Sequence, residues 1–271
     1  MTNVSEVLFY ERPVPLNRES HKDLRINPVL NLAFSAKAHS VPVACVELPH
    51  AAHHFPILFA GPGPEDLNPI ALLGIRQDEN LMVDENGHWV PNAYIPAFIR
   101  RYPFVLAERP EGDDNRDNFA VFLDEAYEGF SNEEGQRLFN EDGSDSETLK
   151  QAVGFLGEFQ QHIERTRQFM KRLGELDLLV ARNIEVRTPG QDTVINGLYA
   201  VDEEKLAKLD ATTLHALMQD GTLPWIYAHL FSLSSLDRLI ERMHARFTPE
   251  ERAQFEEKMR KMAEEGAQAQ A

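Results

Sequence analysis

Apolar positions follow two regimes along the chain. In the first half they come in brief runs, Val29–Phe34, Val41–Leu48, Phe55–Ala60, Ile70–Ile75 and Leu81–Val83, cut by Pro, Gly and Asn and by the loop Gly61-Pro-Gly-Pro64. Short apolar runs bounded by turn formers predict strands. Asp84-Glu-Asn-Gly87 predicts a tight turn, because Asn and Gly accept positive φ, and it would join Leu81–Val83 to His88–Val90 as a hairpin. Pro96 suits the first turn of a helix and Pro103 disfavours helical geometry at Tyr102, so one short helix is expected between them. Strands are expected through Phe104–Ala107 and Asn118–Asp124.

The second half changes period. Ser144-Asp-Ser-Glu147 fits a capping box. Behind it Leu149, Val153, Leu156, Ile163, Met170 and Leu173 recur at three-, four- and seven-residue spacings, the stripe of one long helix. Strands follow at Asn183–Arg187 and Thr193–Val201 around Pro189-Gly190, then short helices over Asp202–Leu209 and Thr212–Met218. A longer helix after Pro224 would place Ile226, Leu230, Leu233, Ile240, Met243 and Phe247 on one face. Thr248-Pro-Glu-Glu251 combines an N-cap, a proline at the first helical position and a capping-box glutamate, and opens a charged last helix.

These elements predict an α+β fold, with a β-rich part of short strands over residues 7–143 and a mostly helical part over 144–247 packed as one unit. Residues 248–271 form a charged helix and a frayed tail. At 271 residues with 42% hydrophobic side chains, 16 of them Phe, the chain has the material for a real core.

Charge narrows the partners. The formal net charge is −17, and residues 107–147 hold 14 acidic side chains against 3 basic ones. Nucleic acid and anionic membrane surfaces are disfavoured, since both draw most of their affinity from Lys and Arg. The acidic stretch reads first as a solvated face and second as a docking face for a basic partner. The uncharged run Gly221–Leu236 is too short to span a bilayer, so membrane insertion is not expected. No basic-then-apolar segment opens the chain, which points to the cytoplasm. Cys45 lies in an apolar run and reads as an inert buried thiol.

Two groups of residues carry candidate chemistry. His50-Ala-Ala-His-His54 would put His50 near His53 and His54 on one helical turn, with Glu47 and His21 as further ligands if the fold gathers them. The metalloprotease pattern His-Glu-x-x-His is absent, and surface or turn histidines are the plainer reading. Arg100 and Arg101, adjacent at a helix end, present forked donors suited to a carboxylate or phosphate. Trp89, Tyr94 and Tyr102 would supply aromatic walls beside them; the competing reading pairs one arginine with the acidic stretch and points the other at water. Asn140-Glu-Asp-Gly-Ser-Asp145 is better explained as a turn and cap than as a calcium loop. Phosphate-binding, dinucleotide-binding and nucleophile-elbow signatures are missing, which disfavours NTPases, Rossmann dehydrogenases and α/β-hydrolases.

Leu73-Gly74, Asn80-Leu81, Asp84-Glu-Asn-Gly-His-Trp89 and Tyr94-Ile-Pro-Ala-Phe-Ile-Arg-Arg-Tyr-Pro-Phe104 together resemble the core signature of the SapC-like family. The resemblance extends to Val14-Pro-Leu16, His21 and Phe55-Pro-Ile57 on one side, and to Leu138-Phe139, Gly197-Leu198-Tyr199 and Leu223–Leu239 on the other. It covers most of residues 7–245. It carries over no catalytic residues, and what it implies is an accessory role. The peptide-transporter permease of the same name needs spanning helices, which this chain lacks.

The expectation is therefore a non-enzymatic binding or accessory protein, with no cofactor, that engages a protein, peptide or small anionic ligand through Trp89, Tyr94, Arg100, Arg101 and Tyr102. The alternative is a metal-assisted enzyme, oxygenase-like or hydrolytic, built on His21, Glu47, His50 and His53 or His54.

Overall fold

A computed structural model describes residues 8–108 and 119–269. Residues 109–118, the middle of the acidic stretch and the first residue of the strand expected from Asn118, lie outside that description, as do Val7 and the last two residues of the expected tail.

The fold is α+β, with sheets in the N-terminal region and helices dominating the C-terminal half. Three antiparallel sheets organise it. The first pairs β1 (Pro13–Pro15), β7 (Phe119–Asp124) and β6 (Phe104–Glu108), with β7 central. The second is a small ribbon of β2 (Arg25–Ile26) between β8 (Phe130–Ser131) and β9 (Gln136–Arg137). The third orders β10 (Leu179–Val186), β11 (Thr193–Val201), β4 (Ile57–Ala60), β5 (Asn68–Leu72) and β3 (Ser40–Pro42). A late hairpin thus completes an early sheet, which makes one packed unit of the two halves.

Local chemistry explains where the expected elements changed. Val29–Phe34 is not a strand: a 3-10 turn occupies Ala33–Ser35, and Leu30 is 84% exposed. Val41–Leu48 stops pairing at Pro42, then bends through a 3-10 turn at Cys45–Glu47 into α1 (Leu48–Ala51), whose second residue is Pro49. The Asp84–His88 turn forms, but its hairpin shrinks to the single bridge Val83–Trp89. There Asp84 Oδ1 accepts from the Asn86 and His88 N–H groups, so the side chain takes donors that a ladder would have used.

The stripe at 149–173 forms α3 (Glu147–Glu175), 29 residues and about 43 Å long. Its cap is Ser146 rather than Ser144: Ser146 Oγ accepts from Leu149 N at 3.2 Å, while Ser144 is engaged by Asp142. Asn140–Asp145 is a plain turn. Leu149 and Leu156 pack with Phe104 and Leu123 of the first sheet, and Phe169, Met170 and Leu173 pack with Phe59 of the third. One helix therefore braces two sheets. Val153, expected on the stripe, is exposed.

The two short helices are α4 (Glu203–Ala207) and α5 (Ala211–Gln219). The single helix expected after Pro224 is two, α6 (Thr222–Ser232) and α7 (Ser235–Ala245). Ser232 and Ser234 donate their hydroxyls to the carbonyls of His229 and Phe231, and this back-bonding accompanies the break. Thr248 and Glu251 cap α8 (Pro249–Ala269) reciprocally, as the sequence pattern requires.

β11 and β4 share only one paired position, Tyr199 with Phe59. Side chains of α6 close the rest of that seam. The fully buried His229 accepts from Val201 N through Nε2 at 3.1 Å and donates from Nδ1 to Ile57 O at 2.9 Å, and Ser232 Oγ accepts from Ile57 N. Burial lowers the imidazole pKa to about 4. The unfolded chain therefore binds a proton near pH 6.5 that the folded chain refuses until about pH 4, so this contribution is complete above pH 6.5 and is lost as pH falls between those values. About 3 kcal/mol is expected to disappear over that window in urea-denaturation curves. His229→Gln should remove that share of the pH dependence; an unchanged profile in the variant would count against it.

Candidate functional site

The Arg-Arg-Tyr-Pro block is positioned by buried negative charge. Glu47 ends the 3-10 turn with only 5% of its surface exposed. Its Oε2 accepts from Ala44 N at 2.8 Å, and its Oε1 accepts from Ala97 N at 2.7 Å and from the Tyr94 hydroxyl at 2.8 Å. Ala97 opens α2 (Ala97–Arg100), so a carboxylate distant in sequence supplies the cap that Pro96 cannot. Downstream, Asp124 is fully buried and accepts from the N–H groups of Glu11, Arg12 and Ala126 and from the Tyr102 hydroxyl. No described cation pairs with either carboxylate.

Held at both ends, the segment lies against α3 and leaves two adjoining clefts. The lower one, about 400 Å³, is lined by Asn27–Val29, Arg100–Phe104 and the α3 residues Thr148, Gln151, Ala152 and Phe155. The upper one, about 290 Å³, is lined by Glu47, His50, Tyr94, Arg100, Phe155, Glu158, Phe159 and His162. Arg100 and Phe155 belong to both, with the guanidinium carbon 5.2 Å from the Phe155 ring centre. The clefts thus form one trough along α3 with Arg100 across its middle.

The two arginines differ. Arg100 is exposed; its Nε donates to Ile95 O at 2.9 Å and its Nη2 to the Tyr94 hydroxyl at 3.3 Å. A guanidinium has five N–H donors, so three remain unspent within the described residues. Arg101 is half-buried, its guanidinium carbon 3.9 Å from the Phe98 ring centre, and its buried Nε has no described hydrogen-bond partner. Burial pulls its pKa down, opposed by the Tyr10 phenol beside it.

Of the five expected ligand-binding residues, Arg100, Arg101 and Tyr102 line the lower cleft, and Tyr94 and Arg100 the upper one. Tyr102 is largely a core residue, stacked on Phe34 with ring centres 4.1 Å apart. Trp89 stands apart: its indole donates to Tyr94 O, its ring meets Phe55 edge-on, and it lines a different groove beside α7.

The four metal-binding candidates do not converge. His21 accepts from Asn17 N through Nδ1, and its Nε2 lies 3.8 Å from Glu125. Glu47 is committed to its three donors, His50 stacks beside Tyr94, and His53 is exposed with its carbonyl accepting from Arg238. His54 packs against Phe55. No three His, Cys, Asp or Glu side chains among the described residues are placed to share an ion. The missing geometry follows from the turn at 45–51, where the carboxylate is committed to two backbone N–H groups and the Tyr94 hydroxyl.

Sequence reasoning missed the α3 wall. Phe155 and Phe159 form an i, i+4 aromatic pair beside the main apolar stripe, with Glu158 and His162 next to them, and that second stripe was the available signal. The capping role of Glu47 left no local signal.

Burial raises the Tyr94 pKa to about 12, aided by the Glu47 charge and the hydrogen bond to it and opposed by Arg100. Glu47→Gln should lower the Tyr94 titration relative to the parent while burial still holds it above the free value, read by NMR of ring-labelled tyrosine. It should also cost about 3 kcal/mol in urea denaturation, since an amide N–H₂ then faces donors that need an acceptor. An unmoved Tyr94 titration would show that Glu47 does not control this phenol.

A model of the family described as SapC matches residues 16–239, well over half of the chain. No curated protein and no solved structure matches it. No helix among the described residues is long and apolar enough to cross a membrane. With the signature block now located as the clamped wall of the trough, and with the match running from before β2 into α7, the chain belongs to the SapC family.

Proposed function

We propose that this is a non-enzymatic, accessory binding protein that holds a carboxylate-bearing ligand in the trough along α3. The observation that carries the reading is Arg100. Its guanidinium lies across the junction of two clefts with three donors unspent among the described residues, over an aromatic ring, on a segment fixed from both ends. A planar fork of donors suits a carboxylate, and a pre-positioned one loses little freedom on binding. Arg101, half-buried with no partner for its Nε among the described residues, adds positive potential to the lower cleft. The net charge of −17 supports a protein that avoids nucleic acid, and makes this positive spot a selective place for an anion.

Calorimetric titration with 3-phenylpropanoate tests the reading. Binding should weaken at least about tenfold in Arg100→Ala, weaken less in Arg100→Lys, and fall with added salt. Because Arg100 is exposed, the alanine variant should keep its melting temperature within a few degrees of the parent. Equal affinity in the alanine variant would sink the assignment.

A further inference from the structure

The upper cleft pairs opposite charges that do not neutralise each other. Arg100 and Glu158, the latter one helical turn before His162 on α3, both line it. Glu158 is exposed and makes no hydrogen bond or ion pair among the described residues, so it does not quench the guanidinium. Glu47 lines the cleft too, its charge held by three neutral donors and matched by no described cation. The rings of Tyr94, Phe155 and Phe159 line the same cleft, and the buried Nδ1 of His162 has no described partner.

A simple carboxylate placed on Arg100 here would also meet the fields of Glu158 and Glu47. That is a cost which a ligand carrying its own positive charge turns into attraction. The volume of about 290 Å³ is at the small end for a ligand site and suits one compact molecule rather than a length of chain. We infer that the upper cleft takes a free amino acid, its carboxylate on Arg100, its ammonium toward Glu158, and an apolar side chain against Phe155 and Phe159. An ammonium there would also face aromatic rings, which attract it. The inference rests on the reading that Arg100 binds a carboxylate, and goes beyond it in requiring the amine.

Three probes separate the two statements: phenylalanine, 3-phenylpropanoate, which lacks the amine, and 2-phenylethylamine, which lacks the carboxylate. Each is titrated calorimetrically into the parent, Glu158→Gln and Arg100→Ala. Phenylalanine should bind the parent several-fold tighter than either partial probe. Glu158→Gln should weaken phenylalanine and the amine about fivefold while leaving 3-phenylpropanoate no weaker, and Arg100→Ala should weaken both carboxylates. If 3-phenylpropanoate binds as tightly as phenylalanine and Glu158→Gln changes neither, the amino-acid assignment falls while the carboxylate reading stands. If none of the three binds the parent at millimolar concentration, both fall. Glu158 is exposed, so its substitution tests recognition rather than folding.

Discussion

Negative charge buried with no paired cation among the described residues is the constraint on which this architecture turns. Taking a carboxylate out of water costs several kcal/mol, and a buried carboxylate persists only where donors replace the lost hydration. Glu47 finds three and Asp124 four, and most are backbone N–H groups at places where the chain must turn. Each carboxylate therefore acts as a template. Glu47 determines how the chain leaves β3 and where α2 begins, and Asp124 ties the N-terminal arm and Tyr102 to the end of β7. The segment between Tyr94 and Phe104 is held at both ends.

That clamp accounts for the character of the trough. With Tyr94 and Tyr102 committed inward, Arg100 is left outward over Phe155, and Arg101 is pressed onto Phe98. α3, long enough to brace two sheets, supplies the opposite wall of both clefts. The same helix gives apolar side chains to the core on one face and Phe155, Glu158 and His162 to the trough on another. The shape of the trough is thus a by-product of how that helix packs against the rest of the fold.

A second polar seam does similar work within the third sheet. Where β11 and β4 pair at only one position, His229 and Ser232 complete the hydrogen bonding from α6. Neutral imidazole suits this place because it donates at one nitrogen and accepts at the other. The late hairpin and the early sheet are held together through a side chain that must remain uncharged.

Elements with strong local periodicity were legible in the residues alone. α3, the β10–β11 pair and the Thr248 cap of α8 follow from apolar spacing and capping chemistry, and the Arg-Arg-Tyr-Pro block stood out as a candidate site. The strand expected at Val29–Phe34, the hairpin at Leu81–Val90 and the single helix after Pro224 failed because Asp84, Ser232 and Ser234 bond to nearby backbone, or because a run was too short for its period to mean anything. Glu47 looked like a possible metal ligand in sequence, and only the tertiary structure made it a cap for a helix 50 residues away. Likewise nothing local separates Trp89, turned to another groove, from Arg100, turned to the trough. Spacing along the chain determines which residues share a face of one element. Which faces meet, and which donors a buried charge finds there, is decided only when elements distant in sequence pack together.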